Sequence, residues 1–264
     1  MKLIRNLLAA GAVACLGLGL GTAHAALTTF QSYTGAGVGV STDGWGSQSQ
    51  AGTISANVPA GATVLAAYLY TSTFGNASLS GVGGTLQGTA VSYSSLGTLP
   101  APTCCDLTAA RADVTSILKP LIDGGAGGLY NFRITETSGS QDGSSLVVIY
   151  KDPATTAIMS VGILDGFAKT DGDSTAINFA KPLDPTAAGF FAEMRLGIGF
   201  SFNGTGCGGS GQSSTVDVNG TRITKGRTLA LSAGDQVDLG GPEINRFTID
   251  IPAADGLAAT EFPR

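Results

Sequence analysis

Short apolar runs of strand length recur along the chain, each closed off by Gly, Pro, Asp or Ser. They are Thr63–Tyr70 (TVLAAYLY), Leu129–Thr135 (LYNFRIT), Ser145–Tyr150 (SLVVIY), Ile158–Asp165 and Arg195–Phe202 (RLGIGFSF). Bounded runs of this length and β-branched content predict strands. Between Ser214 and Thr224, two further alternating segments flank Asn219-Gly220. That dipeptide takes the positive φ values of a type I′ turn, so a β-hairpin is expected there.

Helix signals are sparse. Asp113 is placed to cap a short turn through Val114, Ile117 and Leu118 that Pro120 should limit, and Asp106–Arg111 offers a second turn. Many short strands, few helical turns and glycine-rich connections predict an all-β protein, an antiparallel β-sandwich or jelly roll with one to three short helical turns. One domain suits the length, with a two-lobed split conceivable only at the glycine-rich stretch 203–211.

The first 25 residues follow a different pattern. Lys2 and Arg5 precede the apolar run Leu7–Leu20, which ends at Ala23-His24-Ala25. This is the layout of a secretory signal peptide cut after Ala25, leaving residues 26–264 as the exported domain. The run is too short for a membrane span, and no later segment supplies one. Lipidation at Cys15 is disfavoured, because Ala12 stands where a larger aliphatic residue belongs.

Charge and histidine content narrow the function. Without Lys2 and Arg5, the expected mature chain has twelve basic residues against nineteen acidic ones, a net charge of −7. That balance argues against nucleic acid and anionic membranes as partners, and Arg222, Lys225 and Arg227 read as a solvated face. The chain's one histidine is His24, inside the leader. Ser-His-Asp and Cys-His catalysis and His-bound zinc are therefore excluded from the mature form, and an enzyme would have to work through carboxylates, lysine, tyrosine or a thiol. Non-enzymatic function is the expectation, with a carboxylate-dependent glycoside hydrolase as the third reading.

Export also suits disulfides. Cys104 and Cys105 are adjacent, with alpha carbons about 3.8 Å apart where a relaxed bridge wants roughly 5.5 Å. The expected partner is Cys207, bonded to Cys105 with Cys104 as the alternative.

Trp45 reads first as a core aromatic and second as a sugar-stacking platform, joined in that reading by Tyr33, Tyr68 and Tyr93. Asp171 and Asp173, in Thr170–Ser174, read first as a solvated turn and second as a calcium site with Asp142 and Asp165 in reserve. No other cofactor is implied. Gly35-Ala-Gly-Val-Gly39 lacks the context of a nucleotide loop and reads as a flexible surface strand. Of the N-x-S/T triplets at Asn76, Asn203 and Asn219, the last is explained by its turn.

Several segments carry a family resemblance. Val38–Ser47 (VGVSTDGWGS), Val58–Tyr70 (VPAGATVLAAYLY), Ala112–Ile117 (ADVTSI), Ser144–Phe167 (SSLVVIYKDPATTAIMSVGILDGF) and Phe190–Thr221 resemble uncharacterised bacterial exported proteins that often carry a PEP-CTERM sorting tail, with similar modules in adhesin-like surface proteins. The resemblance implies an extracellular β-rich module of the cell surface or matrix, with polysaccharide or other surface proteins as partners and no catalytic residues to transfer. The sorting tail itself is not matched at Ala258–Arg264, which implies release rather than anchoring. The leading expectation is an exported structural or adhesive protein of the bacterial surface or matrix. The alternative is a carbohydrate-binding module.

Overall fold

The computed structural model describes residues 27–46, 49–74, 79–99, 107–166, 174–175, 186, 188, 190–195, 213–218, 221–227, 236–238 and 246–248. In chain order the elements begin with β1 (Thr28–Ala36), β2 (Val38–Trp45), β3 (Ala51–Val58), β4 (Thr63–Phe74), β5 (Gly84–Leu86), β6 (Thr89–Ala90), β7 (Ser94–Leu99) and β8 (Leu107–Asp113). Helix α1 (Thr115–Ile122) follows, then β9 (Gly128–Glu136), β10 (Gln141–Lys151) and β11 (Ile158–Asp165). Last come β12 (Ser213–Val218), β13 (Thr221–Arg227), β14 (Gln236–Asp238) and β15 (Arg246–Thr248). Among the described residues every strand pairing is antiparallel.

A five-stranded sheet ordered β2-β10-β4-β8-β7 packs against a four-stranded sheet ordered β3-β9-β5-β6. Alternation puts Ile54, Ala56 and Val58 of β3 and Phe132 and Ile134 of β9 inside, facing Leu69 of β4 and Leu146 and Val148 of β10. The fold is the expected antiparallel β-sandwich, but with a third layer. The two-stranded ribbon β1–β11 covers the outer face of the five-stranded sheet, over Val38, Ala66, Tyr68 and Ile149. That explains why SLVVIY has no polar alternation: Leu146 and Val148 enter one core while Val147 and Ile149 enter the other.

The ribbon continues the β2–β10 pair, folded back at a corner. One residue, Gly37 with φ +71°, separates β1 from β2, opposite the connection 152–157. Its N–H donates to the Ala157 carbonyl at 3.0 Å, and its carbonyl accepts from the Asp152 N–H at 2.7 Å. A Cβ at Gly37 would collide with the Asp152 carbonyl oxygen. The segment read as a flexible surface strand is thus two strands meeting at a bend that only glycine fits.

Helix α1 takes over where β8 stops pairing with β4. Thr115 Oγ1 accepts from the Ala67 N–H at 2.9 Å, and Asp123 Oδ1 accepts from the Val64 N–H at 2.7 Å. Lys119 Nζ donates to the Val64 carbonyl at 2.9 Å. The uncovered half of β4 therefore keeps its edge bonded. At the opposite edge, Asp43 Oδ2 and Ser41 Oγ of β2 accept the β3 N–H groups of Ser55 and Asn57 at 2.6 and 2.9 Å, stitching one sheet to the other.

Two helix expectations need correction. Leu107–Asp113 is strand β8, not a helical turn: alanine favours helix in isolation, but alternate burial of Thr108, Ala110 and Ala112 between β4 and β7 decides the matter. Pro120 does not end α1 but lies inside it, on the exposed side, while Val114, Leu118 and Ile122 anchor the other side in the core. Asp113 accepts the Thr115 N–H at 2.9 Å, although the capping position itself is Val114. The strands flanking Asn219-Gly220 pair as β12–β13, with Val218 opposite Thr221. Residues 219–220, the stretch 203–211 and Arg195–Phe202 beyond its first residue lie outside the described residues.

Candidate functional site

Among the described residues, two clusters of chemistry-bearing side chains lie on opposite faces of the five-stranded sheet, apart from the Glu193–Arg195 ion pair, whose Arg195 reaches Thr42. The first lies beneath the ribbon. Arg111 of β8 pairs with Asp165 at the end of β11, with side chains 21% and 11% exposed. The guanidinium carbon sits 3.3 Å from the centroid of the Phe30 ring of β1, a cation–π stack. Tyr70 donates to Asp165 Oδ2 at 3.2 Å. Phe30 meets Tyr68 edge-on at 5.0 Å between centroids, and the Tyr68 and Tyr33 hydroxyls are 2.8 Å apart. Burial, then the Asp165 charge, raises the Tyr70 hydroxyl well above its ordinary value, and burial with the Tyr33 bond does the same to Tyr68.

The second cluster closes one end of the core between the main sheets. Ser144 donates to Glu136 Oε1 at 3.3 Å and is hydrogen-bonded to Tyr93. Burial raises the Tyr93 hydroxyl, opposed by the Ser144 bond and aided by the Glu136 charge. Gln141 Oε1 accepts from the Gly83 and Thr137 N–H groups at 3.1 and 3.2 Å, and its Nε2 faces Thr71 Oγ1 at 3.5 Å. Thr71 in turn donates to the Gly143 carbonyl at 2.8 Å. The residue opposite Ser144 on β2 is Trp45.

The four aromatics proposed as a sugar platform are divided by this arrangement. Trp45, 9% exposed, and Tyr93 pack into the core between the main sheets, whereas Tyr33 and Tyr68 pack under the ribbon. A sheet separates the pairs, so no single ligand touches all four. Trp45 is a core residue, held so closely over Gly52 that a Cβ there would enter its indole ring.

Asp165 stands in the ion pair, while Cys104, Cys105, Cys207, Asp171 and Asp173 lie outside the described residues. Among the described residues no three His, Cys, Asp or Glu side chains gather as a metal site, and no helix is long and apolar enough to cross a membrane.

Sequence reading missed Arg111, Glu136 and Ser144. Arg111 and Asp165 are 54 positions apart with no local motif joining them. Glu136 did carry a signal: it continues the inward alternation of Phe132 and Ile134 and so occupies a core position. Glu136 and Asp165 lie on opposite faces of the central sheet and cannot flank one glycosidic bond. A scan against protein-family models and searches of the curated proteins and of the solved structures find no match to this chain.

Proposed function

We propose that the chain is an exported structural or adhesive β-protein of the bacterial surface or extracellular matrix. The observation that carries this reading is how the described sandwich uses its polar groups. Arg111 and Asp165 join the ribbon to the sheet, Asp43 and Ser41 join the two sheets, and Thr115, Lys119 and Asp123 close an edge of β4. These charged and hydroxyl side chains of the described residues are engaged with the protein's own layers. The signal-peptide layout, the acidic mature charge and the confinement of histidine to the leader support the same reading. In an oxidising compartment Cys207 pairs with Cys105, or with Cys104 as the alternative.

Fractionation of the source bacterium with an antibody to residues 26–264, followed by amino-terminal sequencing, tests export. Protein starting at Ala26 in the medium or matrix is expected; uncut protein in the cytoplasm overturns the reading. A glycan array on the same protein tests the rest. The structural reading expects no selective ligand. Saturable binding of one glycan class would replace it with the carbohydrate-binding alternative.

A further inference from the structure

We propose that β1 is an exchangeable strand, donated by one copy of the mature protein to the ribbon of a second copy, so that copies join head to tail. The proposal rests on the export reading, since cleavage after Ala25 would leave only Ala26 and Leu27 ahead of β1 at a free amino terminus.

Three observations carry it. First, β1 is connected to the sandwich through Gly37 alone, at φ +71°. Rotation of that residue to extended backbone turns Thr28–Trp45 into one straight strand and lifts β1 off its own ribbon. Second, among the described residues β1 pairs with one strand, β11, from Thr28 opposite Asp165 to Ala36 opposite Ile158. Third, its side chains make defined contacts with the rest of the fold: Phe30 against Tyr68 and Arg111, the Tyr33 hydroxyl on that of Tyr68, and Thr34 Oγ1 2.9 Å from Ser160 Oγ.

Departure of β1 leaves a bare β11 edge beside an apolar sheet face, a template for strand addition. The occupant that matches it residue by residue is β1 of another copy, because the contacts β1 makes with β11 and the sheet within one chain can be remade between two, only the bonds at the Gly37 bend being given up. Each copy then donates one strand and accepts one. Such a heterologous contact propagates a chain of molecules unless it closes into a ring, which is the behaviour wanted of a matrix-forming protein.

Two single variants of the chain beginning at Ala26, Thr34→Cys and Ser160→Cys, test this when mixed. Position 34 faces position 160 across the β1–β11 ladder, and neither variant can form that link within itself. Peptide mapping under non-reducing conditions is expected to find a 34–160 disulfide joining different copies, distinct from links among the native cysteines. Adding Gly37→Val to the Thr34→Cys chain, which blocks the bend, is expected to raise the yield of this link several-fold. The double variant Thr34→Cys/Ser160→Cys in one chain calibrates how readily the link forms. If the double variant links internally while the mixtures, with or without Gly37→Val, yield no 34–160 peptide, strand exchange is overturned. If linking fails everywhere, β1 does not pair with β11 in register and the proposal falls as well. An Ala26 amino terminus on exported protein would leave the export reading standing in either case.

Discussion

Arg111 and Asp165 join two layers of the protein: the guanidinium reaches from β8 in the central sheet to the carboxylate at the end of β11 in the ribbon, with the Phe30 ring of β1 stacked 3.3 Å from the guanidinium carbon. Both side chains are largely shielded, so loss of either leaves an uncompensated charge in a poorly hydrated place. Arg111→Ala should cost about 2 kcal/mol in urea unfolding, below the range for fully buried pairs because some exposure remains. Arg111→Lys should recover little of it, since a lysine lacks the planar face that stacks on Phe30.

Three tyrosines should weaken the fold at alkaline pH. Tyr68, Tyr70 and Tyr93 are all raised in the fold above the ordinary value of 10.0, first by burial. Above about pH 10 the unfolded chain releases these protons while the folded chain keeps them, so the unfolded state gains. Stability contributed this way is fully present below pH 10 and falls as pH rises beyond it, by up to about 1.4 kcal/mol per pH unit for each tyrosine. Tyr70→Phe should flatten the fall in a urea series between pH 9 and 11. The share of the phenolate absorbance at 295 nm that comes from Tyr68, Tyr70 and Tyr93 should rise in step with unfolding.

Trp45 and Gly52 are matched in shape across the two sheets. Gly52→Ala forces a methyl group into the indole and should destabilise by about 1–3 kcal/mol, with a shift in tryptophan emission. In the unaltered protein the emission should be blue-shifted and poorly quenched by acrylamide, because Trp45 is 9% exposed. Ready quenching would mean that the indole faces solvent.

The grip of α1 on β4 depends on Asp123. Asp123→Ala leaves the Val64 N–H without its acceptor and should cost about 1–3 kcal/mol, read by urea unfolding. Hydrogen exchange at the Val64 amide should accelerate more than at Leu69, which lies where β8 pairs with β4.

Local pattern alone identified most of what folds locally. Ile158–Asp165 is a strand with the bounds expected of it, and β4, β9 and β10 extend only a few residues past the runs that announced them, because apolar runs between turn residues can bury their side chains in few other ways. The β12–β13 pairing was expected from Asn219-Gly220 because a turn preference needs only neighbours in sequence, and the flanking strands do pair. What pairs across distance was not legible. LTAARAD became a strand because β4 and β7 offered it hydrogen bonds on both sides, and Pro120 was accepted in α1 because the packing of Leu118 and Ile122 outweighs one missing bond on the solvent side. The tertiary fold also decided that Trp45 and Tyr68 face opposite ways, that Glu136 meets Ser144, and that Arg111 finds Asp165. An alternation of polar and apolar residues states that a strand has two faces; only the stacking of sheets states what each face meets.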